Sequence, residues 1–365
     1  MNKAFIFRIY PTKEQQVLFA KTFGCCRFIY NKMLADKKAY YDANGKTLQT
    51  TPAQYKTDYP WLKEVDSLAL CNVQLHLQSA YAMFYKKQTE FPKFKNKKDN
   101  KNNSYTTNNL NSSIRIEDNK LRLPKIGLVK IKLHRNIPNN YEIKSVTIKQ
   151  TPTGKYYASI LFEYEQVIEP VVPQSFLGLD FSMHELYMDS DGNKPSYPKY
   201  YRLSEERLSK EQRILSKMKK CSNNYKKQKL KVARIHEQIA NQRKDFLHKQ
   251  SRQIANAFDC VCIEDLNMQG MSKALNFGKS VHDNGWGMFT RMLEYKLAEL
   301  GKYIVKIDKF YPSSQLCSSC GYQNPAVKDL SIRQWVCPTC RTVHIRDHNA
   351  AINIREEGKR LLFAV

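Results

Sequence analysis

Four cysteines near the end of this 365-residue chain constrain its fold more than any other feature. Cys317-Ser-Ser-Cys320-Gly and Cys337-Pro-Thr-Cys340 are two CxxC pairs with sixteen residues between them. That spacing fits a four-cysteine zinc ribbon, here expected over residues 312–342. The two-residue gap lets the intervening backbone amides face both sulfurs, and Gly321 suits the tight turn that follows. Four thiolates fill a tetrahedral shell, so the zinc they hold is structural and not catalytic. His344 lies close by but is surplus to that shell, and reads as a structural or polar residue. The other six cysteines, Cys25, Cys26, Cys71, Cys221, Cys260 and Cys262, are scattered through apolar or helical patterns. They read as small buried hydrophobes in a reducing compartment rather than as a disulfide framework.

Charge narrows the partners. Sixty Lys and Arg against 34 Asp and Glu give a net charge of +26. Such an excess attracts polyanions at long range, and phosphate neutralisation with counterion release makes nucleic acid the leading candidate. The charge is also clustered. Lys86, Lys87, Lys93, Lys95, Lys97, Lys98 and Lys101 crowd one short stretch, and Arg202 to Arg252 holds sixteen Lys and Arg. A membrane-surface helix would set bulky aromatics opposite the basic face, and this stretch has few. No apolar run approaches the roughly 18 residues that span a bilayer. MNKAFIFRIYPTKEQ turns polar too early for a signal peptide, so a cytoplasmic protein without membrane partners is expected. Aromatics at 12% exclude a disordered chain, and a prior of about 150 residues per domain suggests two or three domains.

Along the chain, Ala4 to Tyr10 alternates like a strand and stops at Pro11. Thr12 with Gln15 makes a capping-box start for a helix whose stripe is Val17, Leu18, Phe23, Phe28, Ile29 and Leu34. A second helix, 67–88, is expected to turn Leu68, Leu75, Tyr81, Ala82 and Phe84 inward. Short alternating runs follow at 113–117, 120–123, 127–133, 143–150 and 155–162, the pattern of a small β-barrel or curled sheet that the first strand joins. The helices would then be an insertion into a β-domain. Phe176 to Ser182 and Glu185 to Asp189 read as strands, and Asp191-Gly192 as a tight turn. Residues 203–258 are helical with a break near Asn223-Asn224. Cys260 to Asp265 and Tyr303 to Ile307 are strands, with helices at 288–300 and 349–360. Gly270, Gly278, Gly285 and Gly287 are placed where loops could gate a cleft.

Three carboxylates stand out in order. Asp180 lies inside a hydrophobic strand, Glu264 ends a second one after Val261-Cys262-Ile263, and Asp347 begins the last helix. Each alone has an ordinary reading: pairing with an arginine, a solvent-facing strand end, a helix cap. Together they suggest a metal site, because a carboxylate in an apolar strand is costly unless paired or cation-bound, and three would repel one another. Two divalent ions about 4 Å apart would resolve the repulsion and stabilise both attacking and leaving oxygens of a phosphodiester. Hard oxygen ligands point to magnesium. Strand Asp, later strand Glu, final-helix Asp is the layout of a ribonuclease-H-like fold. Asp265 should face away from the trio, because strand side chains alternate.

These motifs resemble the TnpB (OrfB) proteins of insertion sequences, relatives of type V CRISPR effectors. The resemblance is carried by GCCRFIYNKML at 24–34, FPKFKNKK at 91–98, LGLDFSMHELYMDSDG at 177–192, CIEDLNMQGM at 262–271, the ribbon from YPSSQLCSSCG to WVCPTC, and RDHNAAINI at 346–354. It runs almost end to end. It implies an α+β multidomain chain: a wedge-type β-barrel (1–10 and 103–172), an inserted helical recognition domain (11–102), and a RuvC-like α/β nuclease (173–365) carrying the zinc ribbon. It further implies a guide, ωRNA, that pairs with double-stranded target DNA beside a short transposon-adjacent motif. Two-metal magnesium catalysis would fall to Asp180, Glu264 and Asp347, and zinc to Cys317, Cys320, Cys337 and Cys340. Ser182 departs from the glycine many relatives have there, but serine is small and the trio is intact. Gln74, Gln78, Ser104, Tyr105, Thr106 and Asn108 lie in regions matching the family's motif readers; Gln can read adenine, and Thr or Tyr can pack on thymine. Exposed helix and loop positions are an equal reading of each. Lys93 and Lys95 would bind phosphate, which positions without specifying. The alternatives are a guided repressor that does not cut, a compact type V effector, and an unguided transposase. The repressor would be expected to lose a carboxylate, and the transposase would need paired histidines, which this sequence lacks. One or two copies on a single guide are both compatible with the sequence.

Overall fold

A computed structural model of the chain describes residues 1–97, 103–268, 270–271 and 283–364. Lys98, Lys101 and Gly278 lie outside the described residues. The chain divides into two compact units, Met1–Gln166 and Val167–Val365.

The first unit is built on a seven-stranded sheet in the order β2-β6-β7-β1-β5-β4-β3. Its strands are β1 (Asn2–Tyr10), β2 (Ser104–Asn108), β3 (Arg115–Glu117), β4 (Lys120–Leu123), β5 (Gly127–Lys132), β6 (Glu142–Gln150) and β7 (Tyr156–Glu163). Every neighbouring pair is antiparallel. As expected, β1 joins the sheet: Phe5 pairs with Ile160 and Ile9 with Ile131. Its alternation buries Phe5, Phe7 and Ile9 and exposes Ile6. Of the two expected forms, a small barrel or a curled sheet, the sheet is borne out and the closed barrel is corrected: among the described residues β2 and β3 pair on one side only. Sequence reading also missed β2, whose residues Ser-Tyr-Thr-Thr-Asn carry one apolar side chain.

Helix α1 (Lys13–Asn44) starts with the expected capping box: Gln15 N donates to Thr12 Oγ1, and Thr12 N to Gln15 Oε1. It buries Phe19, Phe23, Ile29, Met33 and Leu34, but leaves Val17 exposed. A short helix α2 (Tyr55–Asp58) leads to α3 (Ser67–Tyr85). The inward face of α3 is Ala69, Leu70, Val73 and Leu77, so the expected face is corrected in part: Leu75 is 52% exposed and Ala82 is exposed, whereas Tyr81 packs partly buried against the core. Buried Asp66, the N-cap, accepts from Leu68 N and from the Thr107 hydroxyl of β2, which ties the start of the helix to the sheet.

The second unit has a four-stranded sheet, β11-β10-β8-β9. Its strands are β8 (Phe176–Ser182), β9 (Leu186–Asp189), β10 (Cys260–Glu264) and β11 (Tyr303–Ile307). β8 and β9 form an antiparallel hairpin; β10 is parallel to β8 and to β11. The helices are α4 (Tyr200–Lys217), α5 (Asn223–Ala257), α6 (Trp286–Ala298) and α7 (Arg346–Phe363). The helical break falls just before Asn223, capped by Ser222. Gly285 is the left-handed cap of α6 and Gly287 lies within it, so neither sits in the loop expected of it. The ribbon hairpin is β12 (Gln334–Val336) with β13 (Val343–Ile345).

Strand alternation sorts the two faces of this sheet. Leu177, Leu179, Val261 and Ile263 pack with Leu247 and Ile254 of α5 and Phe289 and Leu293 of α6. Cys260, Cys262 and Ile307 face the other way and pack with Ile354 of α7. Two glycines let α7 lie flush. A Cβ on Gly178 would overlap the carbonyl oxygen of Ala351, and one on Gly358 the sulfur of Cys262. Cys25 and Cys26 are also buried as expected, but Cys71 and Cys221 are exposed. Among the described residues no helix is long and apolar enough to cross a membrane.

Candidate metal and nucleic-acid site

The register of the second sheet brings two of the three carboxylates together. Ile263 pairs with Leu179, so the next residue, Glu264, lies alongside Asp180. Both sit at the carboxyl ends of parallel strands, where open α/β sheets bind ligands. Both share the face of Gly178 and Cys262, the face α7 covers. Asp347 comes from the first turn of α7. The cap position there is Ile345, with no side-chain cap bond, so Asp347 is not spent as a helix cap. The partial positive charge of a helix start favours a carboxylate at that point. All three line one cavity of about 510 Å³, with Ser182, His184, Lys194, Ser313, Arg333 and Arg346 among its other walls. Asp265 is exposed and outside it, as expected.

Burial pushes the Asp180 carboxyl well above the usual carboxylate range, and the charges of Glu264 and Asp347 push it further. Arg346 opposes them. Burial also raises Glu264, against a 2.6 Å hydrogen bond from Ser313 Oγ. Arg333 Nη1 lies 3.7 Å from Asp347 Oδ1. Crowded carboxylates that resist ionising, supplying only hard oxygens, are the donor set that a divalent cation relieves. Sequence reading missed Arg346, Arg333 and Ser313. Arg346 and Ser313 stand inside the motifs RDHNAAINI and YPSSQLCSSCG, but neither carries a spacing signal.

The cysteines need no such assembly. Their four sulfurs lie within 4.8 Å of one another. Cys317 and Cys340 are 3.5 Å apart at sulfur, Cys320 and Cys337 3.6 Å. Zn–S bonds of about 2.3 Å in a tetrahedron put sulfurs roughly 3.8 Å apart, so the cluster fits zinc. His344 Nε2 is 3.0 Å from Cys317 Sγ, and its ring packs 4.8 Å from that of Trp335. It is placed to orient a ligand rather than to be one.

The proposed readers of nucleic acid separate. Ser104, Thr106 and Asn108 share one face of β2. Thr106 Oγ1 is 2.8 Å from that of Thr147, and Asn108 Oδ1 accepts from Asn72 Nδ2 at 3.5 Å. Tyr105 points the other way, and its expected role is corrected. It is 5% exposed, with its ring 6.3 Å from Phe19 and 5.9 Å from Phe23. Alternation across a strand forces this split. Lys95 sits 4.1 Å over the Tyr30 ring and is held by Asn31 on both its N–H and its carbonyl. Burial lowers its pKa. Lys93 is exposed and pairs with Glu90. Gln74 is half-buried on α3. Gln78 is exposed and lines a separate cavity with Tyr81 and Tyr85. A small cavity of about 50 Å³ gathers Lys95, Ser104, Tyr105 and Thr106 with Arg27, Asn72 and His76, three polar residues the sequence did not single out.

Three family models match the chain. One described as "Probable transposase" (OrfB of IS605) matches residues 159–275, the TNB domain of Cas12f1-like proteins matches 286–354, and a helix-turn-helix domain of OrfB matches 1–46. A Streptomyces pristinaespiralis protein named "Putative RNA-guided DNA endonuclease" is 34% identical, over 98% of this chain and 90% of its own. The Escherichia coli K12 protein of that name, InsQ, is 30% identical over 99% and 93%. Among solved structures, Cas12f1 in its complex with guide RNA and target DNA matches 97% of this chain and 98% of its own. The TM-score is 0.62 at 13% identity, a likeness of fold.

Proposed function

Since this chain belongs to the TnpB (OrfB) family, we propose that it is an RNA-guided DNA endonuclease, with Asp180, Glu264 and Asp347 as its catalytic carboxylates. The observation that carries the proposal is their convergence: three acids from distant segments line one cavity at the carboxyl ends of β8 and β10. A guide RNA would pair with one strand of double-stranded DNA beside a short motif that the protein reads. The net charge of +26 supplies affinity for the phosphates of both. Magnesium held by the three carboxylates would supply the positive charge that phosphodiester hydrolysis requires at the attacking and leaving oxygens.

This chain's residues prepare that site. Arg346 counters the crowding at Asp180, Ser313 holds Glu264, and α7 fixes Asp347 through its close contact with β8. The four cysteines would hold structural zinc within the nuclease unit. The first unit would supply the wedge-type β-domain and the helical recognition domain, with Ser104, Thr106, Asn108 and Gln78 as candidate contacts to the DNA motif.

The test is to express the protein with its native downstream DNA and sequence the RNA that copurifies. One abundant RNA of defined ends with a variable 3′ segment is expected, together with magnesium-dependent cutting of matched DNA that Asp180→Ala abolishes while binding persists. A smear of cellular RNA, or cutting unchanged in Asp180→Ala, would overturn the reading.

A further inference from the structure

The motif YPSSQLCSSCG contributes two cysteines to the four-cysteine cluster, but Ser313 lies outside the knuckle they form. Ser313 is 6% exposed, and its hydroxyl donates to Glu264 Oε1 at 2.6 Å. A hydroxyl has one proton to give, so this donor is committed to the carboxylate. The backbone around Ser313 is held just as closely. Its N–H donates to Tyr311 O at 2.8 Å, and its carbonyl accepts from Asn353 Nδ2 at 2.7 Å.

Asn353 also donates to Leu316 O at 2.7 Å, as Asn349 Nδ2 does at 2.6 Å. Asn349 Oδ1 then accepts from Ser318 N at 3.0 Å, immediately after the first zinc ligand, Cys317. Asn349 and Asn353 are four apart on α7, so they share one face, and both are buried. The helix that carries Asp347 thus clamps the segment 313–318. That segment carries Cys317 at one end and the donor to Glu264 at the other.

We infer that Ser313 is a positioning residue for Glu264, through which α7 and the first zinc knuckle set the geometry of the divalent-metal site. The inference rests on the proposed reading of Glu264 as a metal ligand. A metal-binding carboxylate needs one oxygen fixed by a neighbour if the other is to meet the ion in a single orientation, and losing such a partner typically costs about 10- to 100-fold in metal affinity. A serine that merely shaped the turn would leave metal affinity unchanged.

The test uses the full chain and Mn²⁺ as the probe, with free ion read by electron paramagnetic resonance and zinc content read on the same samples. Ser313→Ala is expected to keep its zinc and to bind Mn²⁺ about 10- to 100-fold more weakly. Glu264→Gln serves as the reference. Parent-like Mn²⁺ affinity in Ser313→Ala alongside a loss in Glu264→Gln overturns the inference and leaves the metal site standing. Parent-like affinity in both variants overturns the ligand reading itself, and the inference with it. Should Ser313→Ala fail to fold, Ser313→Cys puts a slightly larger side chain with a weaker donor in the same place. At least several-fold weaker Mn²⁺ binding is expected of it, and parent-like affinity again overturns the inference.

Discussion

The cysteine cluster and the carboxylate cleft both gather groups that repel when ionised, but they are assembled differently. The four cysteines fall within a span of 24 residues, and their sulfurs approach within 4.8 Å through two tight knuckles. The three carboxylates are spread over 168 residues, from Asp180 to Asp347, and meet only because two strands pair and a helix lies flush across them. A local site is written in spacing; an assembled site is written in packing. The second should therefore be open to damage from residues that would never touch a metal, whereas damage to the first should reach the second only through the knuckle that α7 clamps.

The sharpest break between them is Cys337→Ser. Structural zinc in isolated fingers is worth about 10–16 kcal/mol, so this variant is expected to lose its zinc and the amide protection of β12 and β13. The core around Leu177 and Val261 should keep its protection in hydrogen exchange. Loss of protection throughout the unit would mean that the ribbon is not an independent site.

Asp180→Asn probes the other side. Cleavage is expected to fall at least about 10²- to 10³-fold, the usual loss when one electrostatic stabiliser is removed. Thermal stability in metal-free buffer should hold or rise, because a buried carboxyl leaves the company of two others. A lower midpoint would show that Asp180 supports the fold more than the chemistry.

The same contrast explains what could be read from the sequence. The cysteine cluster and the capping box at Thr12 were legible, because spacing and cap chemistry are local signals, and the meeting of the three carboxylates in one cavity was anticipated from their order along the chain and the family resemblance. Most strands were legible from alternation, including the place of β1 in the sheet. The inward face of α3 was not, because two apolar rows compete along it, Leu70, Val73 and Leu77 against Leu68, Leu75 and Ala82. Strand β2 was hidden by its polarity, and with it the burial of Tyr105. Arg346 and Ser313 gain their roles from what folding brings beside them.

Gly178→Ala sharpens the comparison. The new methyl meets the backbone of α7 at Ala351, which cannot swing aside like a side chain. A loss of about 3 kcal/mol or more is expected, at the upper end for overpacking. Cleavage should fall with it as Asp347 moves relative to Asp180, while zinc content stays at the parent value, since the four sulfurs come from two knuckles and α7 clamps only the first. Zinc lost together with cleavage would show that α7 supports both sites equally.

The smallest expected effect concerns a buried charge that neither metal would relieve. Lys296 of α6 is 3% exposed, and its Nζ donates to His248 O and Ser251 Oγ, both at 2.7 Å. Burial lowers its pKa to about 8, helped by the Arg252 charge and opposed by Glu299. Below that pH the amine is charged in both folded and unfolded chains, and the cost of burying it is fully present. Between about 8 and the unfolded value near 10.4 the unfolded chain holds the extra proton, so stability should rise with pH. A gain of about 1–2 kcal/mol is reasonable after allowing for its hydrogen bonds. Lys296→Met should remove that slope and match or exceed the parent at pH 7, with the advantage shrinking by pH 10. Denaturant midpoints at the two pH values measure it. An unchanged slope in Lys296→Met would mean that the amine is solvated in solution, and that hydrogen bonds alone do not hold a charge here.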